Sequence, residues 1–344
     1  MTTTAARPTG CSMQSASTCR KPRRLTARAA LACCALALGA AGVRAQVSAP
    51  ATEPGASRPN RFRSQAELVV LQVSVVDARG QFVPGLGLDD FGVYEDGKRQ
   101  TVTFFASSSA PLDLAVLIDT SGSMSGRMAL AQNAAIDLIR TLKPGDRAAV
   151  VLFSDKVRIA HPFSGDLARL ESAVRSAVPA GATAVYEALY VTLRDLGRAR
   201  VDPNEQRRQA VVVLSDGEDN RSHVDFTGVL EEARRRTATI FSILPGPVDD
   251  PDLIDPLKPK PNALFEMRAL AEETGGRIFR PATMGDLGRV YRDIAGELGQ
   301  QYFLAYAPQP SPIDGFRRVA VRAETRPELR ARTRSGYYGN GRSR

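Results

Sequence analysis

Cysteine, histidine and tryptophan are scarce in this chain. Tryptophan is absent, histidine occurs twice, and the four cysteines (Cys11, Cys19, Cys33, Cys34) all fall near the amino terminus. A chain processed beyond Cys34 would carry no thiol, which excludes a disulfide framework, a thiolate metal site and a cysteine nucleophile together. Aromatic residues make up only 6% of the sequence. No basic stripe with interleaved aromatics is present, so nucleic acid is excluded as a partner. No apolar run approaches the roughly 20 residues that a membrane-spanning helix needs.

The formal charge of +9 points the same way once it is located. Arg7, Arg20, Lys21, Arg23, Arg24, Arg28 and Arg44 lie in a stretch, residues 1–45, that holds no acid; the remainder carries only +2. That stretch reads as an export signal. The basic segment Arg20–Arg28 precedes the apolar run Ala29–Ala41, and Val43-Arg44-Ala45 offers a small-residue cleavage site before Gln46. A periplasmic or extracellular location follows, with no transmembrane span in the mature chain. An uncleaved anchor is the lesser alternative.

Residues 46–61, rich in Pro, Ala, Ser and Thr, read as a linker. Residues 62–110 form a small β unit: Glu67–Asp77 is β-branched, and Asp96-Gly97 makes a hairpin between Phe91–Glu95 and Gln100–Phe105. Over 111–298 the rhythm becomes strand and helix in alternation. Leu112–Ile118 is nearly all apolar, as a strand buried on both faces should be. Further strands are expected at Ala148–Phe153, Ala210–Leu214, Thr239–Leu244 and Arg277–Arg280. A helix runs from Met128 to Leu142, and others lie around 166–178, 183–197, 225–236, 262–274 and 286–298. The fold class is therefore α/β, a doubly wound and mostly parallel sheet. Residues 299–338 return to β, with strands at Gln301–Tyr306 and Arg318–Arg322, and are expected to join the N-terminal β unit because neither alone makes a comfortable sheet. Residues 339–344 are expected to be a disordered tail.

Three pieces of sequence stand at strand ends or helix starts. They are Asp119-Thr120-Ser121-Gly122-Ser123 after the first apolar strand, Thr183 after Pro179-Ala180-Gly181-Ala182, and Ser215-Asp216-Gly217 after Ala210–Leu214. In an open parallel sheet, ligands bind at the carboxyl ends of the strands where the strand order reverses. The three pieces should converge there and offer two carboxylates, Asp119 and Asp216, with three hydroxyls, Ser121, Ser123 and Thr183. Such an all-oxygen set suits a hard cation: Mg²⁺, Mn²⁺ or Ca²⁺. Singly, each piece is no more than a turn; their order along the chain is what makes a metal site.

This arrangement resembles the metal-ion-dependent adhesion site of von Willebrand factor type A domains, over about residues 111–298. The resemblance implies a Rossmann-like fold, with Ser121, Ser123 and Thr183 as metal ligands, direct or through water. Asp119 and Asp216 would then hold coordinated waters or bind the metal themselves. It also implies a protein partner that presents an Asp or Glu to the cation. The segments Leu88-Asp89-Asp90-Phe91-Gly92-Val93-Tyr94-Glu95-Asp96-Gly97 and Ser335-Gly336-Tyr337-Tyr338 are similar to those of a bacterial subgroup of such proteins, first described in acidobacteria. The expected function is an exported, non-catalytic binding module. Two alternatives stand beside it: a Mg²⁺-dependent phosphohydrolase with Asp119 as nucleophile, for which Ser121 occupies the place where a second acid is wanted, and an assembly component whose metal site is unused. An acidic loop at 246–261 and the neighbourhood of Arg221 and His223 are candidate partner contacts.

Overall fold

The computed structural model describes residues 68–107, 110–198, 207–215, 219–245, 263–309 and 315–339. The expected leader, the linker and residues 340–344 lie outside the described residues, as do Asp216 and the acidic loop. Among the described residues, no helix is long and apolar enough to cross a membrane.

The chain opens with four strands, β1 (Val69–Val76), β2 (Phe91–Glu95), β3 (Lys98–Gln100) and β4 (Val102–Ser107). It then enters an α/β domain with six strands: β5 (Leu112–Asp119), β6 (Arg147–Phe153), β7 (Val157–Ser164), β8 (Arg208–Leu214), β9 (Thr239–Ile243) and β10 (Ile278–Phe279). Six helices alternate with them: α1 (Met128–Ile139), α2 (Leu167–Arg175), α3 (Val185–Arg198), α4 (Phe226–Arg235), α5 (Ala263–Glu273) and α6 (Leu287–Gly299). The chain closes with β11 (Tyr302–Tyr306), β12 (Phe316–Ala323), β13 (Arg330–Arg332) and β14 (Gly336–Tyr338).

The central sheet has the order β10-β9-β8-β5-β6-β7 and is parallel except for β7 at one edge. β5 shows why such a strand reads as an unbroken apolar run. Its Leu114, Val116 and Ile118 pack with α1, α2 and α6, while Ala115 and Leu117 pack with α3, α4 and α5 on the other face. Helix starts follow local chemistry too. Asp166 caps α2 by accepting from Arg169 N, and Asp225 caps α4 by accepting from Gly228 N. From β5 the chain moves outward to β6 and β7, and from β8 it moves the other way to β9 and β10. The strand order therefore reverses between β5 and β8, which places the binding crevice at the carboxyl ends of those two strands.

The terminal segments form two four-stranded antiparallel sheets, β13-β1-β11-β4 and β14-β12-β2-β3, and so combine as one accessory β unit. β1 pairs with β11 and β13, and β12 pairs with β2 and β14. Leu71, Val73, Phe91, Val93, Leu304 and Tyr306 fill the space between the sheets. Asp96 and Gly97 both have positive φ, as the two-residue hairpin turn between β2 and β3 requires. Two expectations need correction. The strand expected over Gln100–Phe105 breaks at Thr101: β3 stays with β2, and β4 crosses to pair with β11 in the other sheet. β13 and β14 are additional strands, each of three residues and so too short to show a period.

Candidate functional site

Asp119 ends β5 fully buried. One of its carboxylate oxygens accepts from the backbone N–H of Ser121 (2.8 Å), and the other accepts from the Ser215 hydroxyl at the end of β8 (2.7 Å). The side chain thus fixes both the turn that follows β5 and the mouth of the neighbouring strand. Ser121 and Ser123 then lie with hydroxyl oxygens 2.9 Å apart, in hydrogen-bond contact.

The second loop is stitched to the first by its backbone. Gly122 N donates to Gly181 O (2.9 Å) and Ala180 N to Thr120 O (2.7 Å). Gly181 adopts φ +80, a conformation that favours glycine, and a Cβ there would press on the end of the Asp155 side chain. Asp155, in the β6–β7 turn, accepts from Ala182 N (2.8 Å) and lies 3.8 Å from the Arg221 guanidinium. Thr183 is buried and precedes α3, whose first residue is Val185.

The third loop closes on the second. Thr183 N donates to the Asn220 side-chain oxygen and Asn220 N donates to Thr183 O, both at 3.0 Å. Asp219 accepts from Tyr186 N (2.9 Å), from the N–H groups of Arg221 and Ser222, and from the Ser222 hydroxyl. Beside this hub the Tyr186 phenol donates to Glu266 on α5. Burial raises the Glu266 carboxyl above its usual range, and burial together with that hydrogen bond raises the Tyr186 phenol.

Of the five residues expected to hold a cation, four are described: Asp119, Ser121, Ser123 and Thr183 lie on loops joined to one another by these hydrogen bonds. Asp216 lies outside the described residues, between Ser215, which donates to Asp119, and Asp219. Among the described residues, no group of three or more His, Cys, Asp or Glu could hold a metal ion. Among the described residues, a cation at this end would draw on the hydroxyls as well as on Asp119. The donor set fits a hard cation, since the side chains of Asp119, Ser121, Ser123 and Thr183 all offer oxygen. Ser215, Asp155, Asp219 and Asn220 emerge only here as organisers of the loops. Their one sequence signal is proximity to the strand ends. His161 is an ordinary strand residue on β7, with Nδ1 2.7 Å from Pro162 O.

Residues 114–218 match the family model of the von Willebrand factor type A domain. No curated protein matches the sequence. Among solved structures the chain is similar to a von Willebrand factor type A protein from Catenulispora acidiphila, with 16% identity, 67% of this chain and 69% of that chain covered, and a TM-score of 0.47. It is also similar to the vWF domain of the type V pili tip protein Mfa5 from Porphyromonas gingivalis (13% identity, 55% and 95% covered, TM-score 0.43). A third is proximal thread matrix protein 1 from the mussel byssus with a zinc-occupied MIDAS motif (19% identity, 59% and 49% covered, TM-score 0.43). None of these supports the acidobacterial-type subgroup. Residues 114–218, which hold β5 to β8 and the loops built on Asp119, Ser121, Ser123 and Thr183, match the von Willebrand factor type A domain, and the α/β fold around them is of that type.

Proposed function

We propose that this chain is an exported binding module, not an enzyme, that engages an acidic side chain of a partner protein through a divalent cation held by Ser121, Ser123 and Thr183, with Asp119 and Asp216. One observation carries the reading: the buried Asp119 carboxylate ties the Ser121–Ser123 hydroxyl pair to the mouth of β8, at the point where the strand order reverses. A bound Mg²⁺, Mn²⁺ or Ca²⁺ would supply an electrophilic position for one carboxylate oxygen from outside. The residues themselves set the charge. Neutral hydroxyls and two carboxylates at most cancel a divalent ion, so an incoming Asp or Glu finds no excess of negative charge. The zinc-occupied motif in the mussel protein and the pilus-tip location of Mfa5 are in keeping with metal-dependent attachment. The leader-like residues 1–45 support export, to the periplasm or beyond. A phosphohydrolase reading is disfavoured because Ser121 stands where a second acid is wanted beside Asp119.

The test is calorimetric titration with Mg²⁺ and Mn²⁺ of the wild-type chain and of a Ser121→Ala/Ser123→Ala variant, followed by capture of partners with Mg²⁺ and again with chelator. Cation affinity should fall at least about tenfold in the variant, a loss of roughly 1.4 kcal/mol or more, with thermal stability nearly unchanged. Equal affinity in the two proteins, or partner binding that ignores the chelator, would overturn the proposal.

A further inference from the structure

Among the described residues the three sheets have six edge strands, and five of them are blunted. β10 has two residues and β3 has three, among them Lys98 and Arg99. β13 is Arg330-Ala331-Arg332, and β14 is covered by α4, where Tyr338 donates to Glu231. β7 is long but carries Arg158, Pro162 and two irregularities in its register with β6. Short length, edge cations, proline and bulges are the recognised means by which a strand is kept from pairing with another chain.

β4 differs. It is six residues long, reads Val-Thr-Phe-Phe-Ala-Ser, and has neither charge nor proline. A bulge at Thr103 affects only its start, and Phe104 to Ser107 run in regular register with β11. Phe105 turns inward, its ring 6.0 Å from that of Phe91 and 6.1 Å from that of Tyr302. Phe104, on the opposite face by the alternation of a strand, is 52% exposed. Among the described residues no strand pairs with the outer edge of β4, and a row of backbone N–H and C=O groups beside an exposed aromatic ring calls for a β-strand as its occupant, since only a strand satisfies the row.

We propose that this occupant is β4 of a second copy, paired antiparallel about a twofold axis to join two four-stranded sheets into one of eight. Three features favour a second copy over a strand from another protein. A twofold joint needs one surface complementary to itself, and antiparallel pairing of β4 with β4 supplies it. The strand has no charge, so no register places like charges opposite each other. A register near the strand centre sets the two Phe104 rings side by side, covering the aromatic surface that each copy alone leaves in water. The joint also lies by the amino end of β5, which follows β4 directly. Asp119 stands at the other end of that strand, roughly 25 Å away at about 3.3 Å per residue. Both copies would therefore keep their strand-end loops open to a partner.

The test is sedimentation velocity of the full chain across the micromolar range, with amide hydrogen exchange on the same samples. The wild type should show a concentration-dependent monomer–dimer equilibrium, with slower exchange at Phe104–Ser107 as dimer accumulates. Phe104→Lys/Ser107→Lys, both at exposed positions, should raise the dimer dissociation constant by at least about tenfold. Ile159→Lys, on the exposed edge of β7, should leave it unchanged. A chain that stays monomeric throughout overturns the proposal, including the case in which β4 pairs instead with another protein's strand. So does a dimer that ignores the β4 substitutions and leaves exchange at Phe104–Ser107 fast.

Discussion

The two ends of β5 each carry a buried aspartate, and the chain surrounds them in opposite ways. At the amino end, Asp113 accepts two hydrogen bonds from the Arg147 guanidinium (2.9 and 2.8 Å) and one from Arg207 (2.8 Å). At the carboxyl end, Asp119 accepts from a backbone N–H and from a hydroxyl. Removing a carboxylate from water costs several kcal/mol unless charge and hydrogen bonds replace the lost solvent. Guanidinium forks replace both, so Asp113 anchors the strand. The Ser121 N–H and the Ser215 hydroxyl instead fix the Asp119 side chain at the mouth of the crevice. A fully buried acid among hydroxyls thus marks the binding end of the domain, and a fully buried acid among arginines marks its foundation.

The accessory β unit is held by pairing between the two terminal segments, and losing one of them should have the largest effect. Removing residues 300–344 takes both partners from β1 and takes β12 from β2. Hydrogen exchange at Val69–Val76 should then approach the rate of an unstructured chain; protection as in the full chain would show that β1 is held by something other than β11 and β13.

Substitution at each end of β5 tests the contrast directly. Asp113→Ala takes the shared carboxylate from two mostly buried guanidiniums and should cost about 3 kcal/mol, while any Mg²⁺ affinity of the folded protein stays as in the wild type. Asp119→Asn keeps an acceptor for Ser121 N and should cost only about 1 kcal/mol, but should weaken Mg²⁺ binding at least about tenfold. Asp119→Ala is the poorer probe, because it leaves the buried Ser121 N–H and Ser215 hydroxyl without their acceptor. Thermal unfolding and calorimetric titration of the three proteins separate the two roles. Similar stability losses at both positions would erase the distinction.

A smaller effect should come from Gly181→Ala, which forces a left-handed residue and pushes its Cβ against Asp155. Stability should fall by about 1–2 kcal/mol, and Mg²⁺ affinity should fall with it, because this loop delivers Thr183. Unchanged affinity would separate Thr183 from the metal.

Much of this was legible in the sequence because it rests on short-range rules. Leu112–Ile118 and Ala210–Leu214 are continuously apolar since both faces of their strands are covered, and Asp96-Gly97 names its own turn. The candidate site was legible as far as its residues follow directly after strands. Asp155, Asp219 and Asn220 were not, since each acts on a backbone N–H 27 to 37 positions away along the chain. The break at Thr101 was hidden because the residues on both sides of it suit a strand. The two quoted flanking motifs, Leu88–Gly97 and Ser335–Tyr338, do find a joint physical reason: Glu95 of the first accepts from Tyr337 of the second (2.8 Å).

That contact yields the smallest expected effect. Glu95 is buried in the accessory β unit and accepts from Tyr306 (2.6 Å), Tyr337 (2.8 Å) and Arg317 (2.9 Å). Like Asp113, it is an acid whose charge is met inside the fold. Burial, and then the hydrogen bond to Glu95, push the Tyr337 phenol from its ordinary value near 10 up to about 12. The folded state thus favours the neutral phenol, and the stability this brings is fully present below pH 10 and lost as pH rises through 12. Tyr337→Phe removes one of three hydrogen bonds to a carboxylate and should cost about 1 kcal/mol at neutral pH. The gap in urea midpoint between wild type and variant should narrow steadily from pH 9 to pH 12, because the wild type alone has this phenol to ionise. Burial lowers Arg334 to about 10, so it titrates in the same window. The Tyr337 phenolate raises it in the wild type alone, so the coupling between the two groups is part of the difference. A gap that stays constant over that range would mean that Tyr337 holds the β unit by packing alone, without the hydrogen bond to Glu95.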